Sequence, residues 1–192
     1  MKRLDLVVGP NGAGKSTFVA LTLGPLLPRS PFVNADEIAR QRWPDDAEAL
    51  SYEAARVAAA TRSALIASGT SFIAETVFSH PSKLALLDEA HAQGYVVVLH
   101  VVAIPEDLAV QRVVHRVRAG GHRVAEDRIR ERHRRLWDLV ARAIVVADSA
   151  TVYDNSGHAG PRVVARFTGG VVVGSPRWPL WTAPSLRTRW PD

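Results

Sequence analysis

Short apolar runs alternate along the chain with longer stretches of helical period. Leu4 to Val8 is an apolar run that ends at a glycine-rich turn, and Thr17, Phe18, Val19, Leu21 and Leu23 beyond it suit a helix ending at Gly24-Pro25. Pro31 to Asn34 reads as a second short strand, followed by a helix through Ile38 and Arg40 that Asn34 or Asp36 can cap. In the alanine-rich stretch Asp46 to Ala67, Leu50, Ala54, Val57, Ala58, Thr61 and Leu65 recur at three- and four-residue steps, which predicts a long helix. Ser71 to Ala74 reads as a strand ending at Glu75-Thr76, and Leu84, Leu87 and His91 mark a helix that stops at Gly94. Tyr95 to Ile104 is almost continuously apolar, as a strand buried on both faces would be.

Pro105 opens a further helix with Glu106 and Asp107 in its first turn, and Ala119-Gly120-Gly121 interrupts it after Arg118. A second helix follows with the stripe Ile129, His133, Leu136 and Val140, then a strand over Ala150 to Tyr153 and a turn at Asp154-Asn155-Ser156-Gly157. Arg162 to Phe167 and Val171 to Val173 suit a terminal hairpin. This alternation predicts one α/β domain over residues 1–174, with a mostly parallel, five-stranded sheet and helices on both faces. Residues 175–192, rich in Pro and Trp and without a period, read as a C-terminal tail.

The 192 residues suffice to bury a core without staples, and the absence of cysteine excludes disulfide scaffolds, thiolate metal sites and cysteine nucleophiles. No apolar run is long enough to span a membrane and the N-terminus enters a strand instead of a signal peptide, so a cytoplasmic protein without a membrane partner is expected.

The first turn carries the chemistry. Gly9-Pro10-Asn11-Gly12-Ala13-Gly14-Lys15-Ser16 satisfies G-x-x-x-x-G-K-[ST], and it lies between a predicted strand and a predicted helix, where that pattern makes a phosphate loop. Backbone N–H groups freed by the glycines and the helix dipole favour a β-phosphate. Lys15 reaches the β- and γ-phosphates and the Ser16 hydroxyl ligates magnesium, so residues Gly9 to Thr17 are the expected site for ATP and Mg2+.

The acceptor side is expected where other strands end, because ligands of open α/β sheets bind at that edge. Asp36 follows the second strand, where a carboxylate can take a hydroxyl proton; it can instead serve only to cap its helix. Glu75 and Thr76 end the third strand, where they can hold magnesium through water, a phosphate or the substrate, or form a solvated turn.

The formal charge of +5 is concentrated in one segment. Nine arginines lie between Arg112 and Arg135 against Glu126, Asp127 and Glu131, an excess of six, and the rest of the chain sums to minus one. Gly120-Gly121 suits a lid hinge flanked by Arg116, Arg118 and Arg123, which would bring positive charge over a transferring phosphoryl group. Arg128, Arg132 and Arg135 suit a solvated helix face. A nucleic-acid-linked ATP-binding module is the rival of another class, disfavoured because the segment has no aromatic residue for bases to stack on.

Taken in order, Gly9 to Thr17, Asn34-Ala35-Asp36-Glu37-Ile38-Ala39-Arg40, Glu75-Thr76 with Ser79, Gly120-Gly121-His122 with Val124, and Val152-Tyr153-Asp154-Asn155-Ser156-Gly157 resemble the zeta toxin family of P-loop kinases, in its short, free-standing bacterial form. The resemblance implies a kinase-like α/β domain that phosphorylates the 3′-hydroxyl of the amino sugar in UDP-N-acetylglucosamine. It also implies Asp36 as base, Lys15 and Ser16 serving ATP and magnesium, Glu75 and Thr76 lining the acceptor site, and Arg116 and Arg123 as lid arginines. A kinase of the same fold acting on another alcohol, such as an antibiotic or a free sugar, fits the residues as well. The family also permits a protein antitoxin as partner.

Overall fold

The structure, a computed structural model, describes residues 1–118 and 124–192. The Gly120-Gly121 hinge, His122 and Arg123 lie outside the described residues.

β1 (Lys2–Val8) lies at the middle of the sheet and pairs in parallel with β3 (Phe72–Thr76) on one side and β4 (Tyr95–Ala103) on the other. β2 (Phe32–Val33) continues beyond β3 and β5 (Ser149–Asp154) beyond β4, both parallel to their neighbours. All five strands therefore end at one edge. The expectation of five strands is corrected by the hairpin of β6 (Arg162–Thr168) and β7 (Val171–Val172), which joins the same sheet antiparallel to β5 and gives seven strands in the order β2-β3-β1-β4-β5-β6-β7. After β5 the chain reverses through a short turn, and the returning strand satisfies the backbone groups that β5 would otherwise leave unpaired at the sheet edge.

The helices are α1 (Lys15–Phe18), continued by a π-helical turn at Val19–Leu23 and by α2 (Gly24–Leu26), then α3 (Ala35–Arg42), α4 (Ser51–Ala67) and α5 (Ser82–Ala92). They are followed by α6 (Glu106–Arg118), α7 (Glu126–Val146) and α8 (Pro184–Arg187). β4 shows why both sheet faces are covered: Val97, Leu99 and Val101 point into one core, shared with α4, α5 and α7, while Val102 lies in a second core with Phe18, Val110 and Val113 of α1 and α6. Side chains alternate across a strand, so a continuous apolar run needs an apolar layer on each side.

The residues after Gly174 pack onto this body. Leu186 and Trp190 are buried, α8 lies against α7, and the Trp190 ring meets Phe167 of β6 at 4.8 Å. Trp178 donates its indole N–H to the Trp190 carbonyl at 2.7 Å, which gives a buried polar group the partner it requires. Tertiary contact thus orders a stretch that has no period of its own.

Candidate active site

The turn after β1 is shaped by its glycines. A side chain at Gly9 would place its first carbon 2.1 Å from the Val102 carbonyl oxygen of the neighbouring strand, so only glycine lets the loop leave the sheet there. Gly14, at φ 84°, is the N-cap of α1, and a carbon on it would lie 2.8 Å from the amide nitrogen of Asn155. That Asn155 amide donates to the Ala13 carbonyl at 2.7 Å while its backbone N–H bonds the Ala103 carbonyl at 2.9 Å. The turn after β5 therefore ties the phosphate loop to β4.

Lys15 is buried. Its ammonium donates to the Pro10 carbonyl at 3.0 Å and lies 3.7 Å from Glu75. Burial pushes its pKa below the ordinary lysine value; Glu75 and then Asp36 oppose that fall electrostatically, and Arg116 adds to it. A carboxylate at the end of β3, one in the first turn of α3 and the arginine in the last turn of α6 thus all act on one ammonium. Arg123, expected beside Arg116, lies outside the described residues.

Glu75, at the end of β3, accepts from the Ser16 hydroxyl at 2.8 Å and from the Asn34 amide at 2.6 Å. Asn34 is also the N-cap of α3, its side-chain oxygen accepting from the backbone N–H of Asp36 at 2.7 Å and of Glu37 at 3.1 Å. Capping therefore falls to Asn34, and Asp36 sits exposed in the first turn of α3 with its carboxylate released from that duty. The roles of Asn34 and Asn155 in joining distant parts of the site are not readable from the sequence, although an Asn ahead of a helix signals a cap.

Thr76 accepts weakly from the Phe78 N–H at 3.4 Å. Phe78 has φ 63° and a fully buried ring, the one positive-φ residue other than glycine among the described residues. A bulky side chain in that region costs about 1–3 kcal/mol and persists only where packing enforces it. Here the buried ring holds the chain that leaves Glu75-Thr76 in a fixed path.

Beneath α1 lies a polar network. Asp5 accepts both Arg3 bonds at 2.7 Å and one from His100 Nε2 at 3.0 Å, and the Tyr153 hydroxyl lies 3.5 Å from His100 Nδ1. The Phe18 ring covers His100 and Tyr153 at 5.7 and 4.8 Å. Burial alone would raise the Asp5 pKa; the hydrogen bonds from His100 and Arg3 outweigh it and hold the carboxyl below its ordinary value.

Three arginines of α7 are engaged in ion pairs. Arg130 pairs with Glu106, Asp107 and Glu126 at 2.7–3.1 Å, Arg134 with Glu106 at 3.2 Å, and Arg135 with Glu131 at 2.6 Å. The pairs with Glu106 and Asp107 clamp α7 to the start of α6, and the other two lie within α7. His133 is buried, its Nε2 bonded to the Ile104 carbonyl at 3.0 Å.

A glycine-rich loop opening a helix at the carboxyl edge of a mostly parallel sheet, with strand-end carboxylates around its lysine, defines a kinase-like P-loop α/β fold. The family model described as Zeta toxin matches residues 1–160, and the chain belongs to that family. Among solved structures it is similar to the AvrRxo1-ORF1:AvrRxo1-ORF2 complex, solved with sulphate ions (15% identity, TM-score 0.71) and with ATP (15%, TM-score 0.67). In both cases 90% of this chain is covered, and the chain spans 60% of the AvrRxo1 chain. It is also similar to the PezAT chromosomal toxin–antitoxin system of Streptococcus pneumoniae (13% identity, TM-score 0.66, 98% of this chain and 84% of that one). A putative kinase from Chloroflexus aurantiacus matches at 20% identity with TM-score 0.53, over 68% of this chain and 76% of that one. Identities this low establish likeness of fold. No curated protein matches the chain.

Proposed function

We propose that the protein is an ATP- and magnesium-dependent small-molecule kinase that moves the γ-phosphate of ATP to a sugar hydroxyl of UDP-N-acetylglucosamine or a related nucleotide sugar. The observation that carries this reading is Glu75, 3.7 Å from the phosphate-loop lysine and bonded to both Ser16 and Asn34, whose side chain in turn holds the backbone N–H of Asp36 at the start of α3. A nucleotide-binding loop alone serves many chemistries; an exposed carboxylate free of capping, beside that loop, suits the removal of a proton from an acceptor hydroxyl. The ATP-bound AvrRxo1 complex supports ATP as the donor.

In this reading Asp36 takes the hydroxyl proton as the acceptor oxygen bonds to the γ-phosphorus. The bond from that phosphorus to the β–γ bridging oxygen breaks, and ADP leaves. Lys15 and the loop N–H groups neutralise the charge gathering on the β- and γ-phosphates, joined by Arg116 and Arg123 from the lid. Ser16 and Glu75 fit magnesium, because a hydroxyl and a carboxylate 2.8 Å apart are the hard oxygen donors that the ion takes beside phosphates. The ion would supply charge neutralisation and alignment of the phosphates. Thr76 and Glu75 line the acceptor. A protein antitoxin is proposed as a further partner, supported by the toxin–antitoxin system from S. pneumoniae. Among the described residues, no helix is long and apolar enough to cross a membrane.

The test is ADP release from ATP and magnesium with and without UDP-N-acetylglucosamine, with phosphorus NMR to locate new phosphate. The sugar nucleotide accelerates turnover, Lys15→Ala abolishes it, and Asp36→Asn lowers kcat by about 10²–10⁴-fold at unchanged ATP affinity. An Asp36→Asn enzyme within a few-fold of the parent removes the base, and absence of acceleration removes the acceptor.

A further inference from the structure

β2 and β3 run in parallel with Phe32 beside Ile73 and Val33 beside Ala74, so the next residue on each, Asn34 and Glu75, stand side by side where the strands end. On the other side of β3, Val7 of β1 lies opposite Glu75, and β1 leads straight into the phosphate loop. One carboxylate therefore stands between that loop and the start of α3. Its Oε1 faces the Lys15 ammonium at 3.7 Å, while its Oε2 is shared by the Ser16 hydroxyl at 2.8 Å and the Asn34 amide at 2.6 Å.

Asn34 is buried, and its amide is used at both ends. The Glu75 carboxylate only accepts, so Nδ2 must face it; the N–H groups of Asp36 and Glu37 only donate, so Oδ1 must face them, at 2.7 and 3.1 Å. Capping alone does not call for this residue, because Ser and Asp cap a helix as well as Asn does. Bridging does call for it. A serine hydroxyl is too short to reach from the cap to Glu75, and an aspartate would set a second carboxylate against the first, where like charges repel.

Of the three groups that hold Glu75 among the described residues, two belong to the phosphate loop. A bound nucleotide draws off both, because its phosphate oxygens are strong acceptors for an ammonium and a hydroxyl. The Asn34 amide then holds the carboxylate without a competitor for Oε2. An amide that donates more strongly at its nitrogen accepts more strongly at its oxygen, as hydrogen bonds in a chain polarise one another. Filling the phosphate loop thus tightens the two bonds that start α3.

We propose that Asn34 is a positioning residue that carries occupancy of the phosphate loop to the first turn of α3, so that nucleotide binding fixes Asp36 in place for the acceptor. The proposal rests on the kinase reading above and adds the regulation of that site: nucleotide favours acceptor and, by linkage, acceptor favours nucleotide to the same degree. Asn34 itself touches neither substrate in this scheme; it acts through Glu75 on one side and through the Asp36 and Glu37 N–H groups on the other.

The test follows hydrogen exchange of the Asp36 and Glu37 amides by NMR in the full chain, with and without ADP and with no divalent cation present. ADP slows both amides about fivefold or more in the parent protein. Asn34→Ser keeps a cap and loses the bridge, so it binds ADP within about twofold of the parent without slowing these amides. Exchange indifferent to ADP in the parent, or slowed equally in Asn34→Ser, overturns the proposal. The bridge is also checked without any ligand: Asn34→Asp lowers the melting temperature by about 2–4 °C although Asp is a good cap, and adding Glu75→Gln, which swaps amide and carboxylate, restores most of it. A double variant that melts no higher than Asn34→Asp overturns the bridge and the proposal with it. In turnover, Asn34→Ser lowers kcat about tenfold with the KM for ATP within about twofold of the parent, and an unaltered kcat is a further contrary result. Failure of the kinase reading has another signature: no acceptor turnover while the Asn34-dependent slowing by ADP remains.

Discussion

The two faces of the sheet are covered by different means. Under α4, α5 and α7, Leu4, Leu6, Val8, Val97, Leu99 and Val101 meet long helices in a large apolar core, with Arg62 as a polar intrusion from α4. The opposite face carries Val7, Val102 and Ile104 under α1 and α6, and beside them the bonded set Arg3, Asp5, His100 and Tyr153. α1 must begin in the phosphate loop, so its position is set by the loop, and the strands beneath it supply hydrogen bonds as well as apolar contacts. One face mainly holds the fold together; the other mainly holds the phosphate loop in place.

That division can be tested from its strong side. Leu99→Ala, at a fully buried position of the apolar face, lowers the unfolding free energy by about 2–5 kcal/mol in urea titrations, while ADP affinity of the folded protein stays unchanged. A matching loss of ADP affinity would show that the faces are not separable. On the other face, Asn155→Ala removes the amide that holds Ala13, and weakens ADP about fivefold, the equivalent of about 1 kcal/mol, with a smaller effect on stability. An unchanged ADP affinity would mean the loop holds its shape without that tie.

The smallest effect is a slope. Asp5 has a folded pKa below its unfolded value, so the stability it contributes is fully present above the ordinary carboxylate range, about pH 4, and is lost as pH falls through the lowered folded value. Asp5→Asn flattens the acid limb of stability against pH, measured by urea unfolding between neutral and acid pH. An unaltered limb would assign it to other carboxylates.

Local pattern carried the elements closest to the site. The phosphate loop is contiguous in the chain, so glycine spacing, a preceding apolar strand and a following helix suffice to recognise it. The same holds for β4, whose apolar run demands two covered faces, and for the hairpin of β6 and β7 as a unit. That hairpin's docking on β5 was not legible, because an antiparallel pair reads the same whether it stands alone or extends a sheet. The Asn34 and Asp36 alternatives were separated only by which side-chain oxygen reaches the first-turn N–H groups.

By itself the sequence determined the α/β alternation, the phosphate loop with Lys15 and Ser16, and the strand ends where Asp36 and Glu75 stand. All of these depend on neighbours a few residues apart. Only the tertiary structure decided that Glu75 bonds Ser16 and Asn34, 59 and 41 residues away, that Asn155 clasps Ala13 from 142 residues away, and that Arg62 is buried. Such contacts follow from the order of strands in the sheet, and the period of any one segment carries no information about that order.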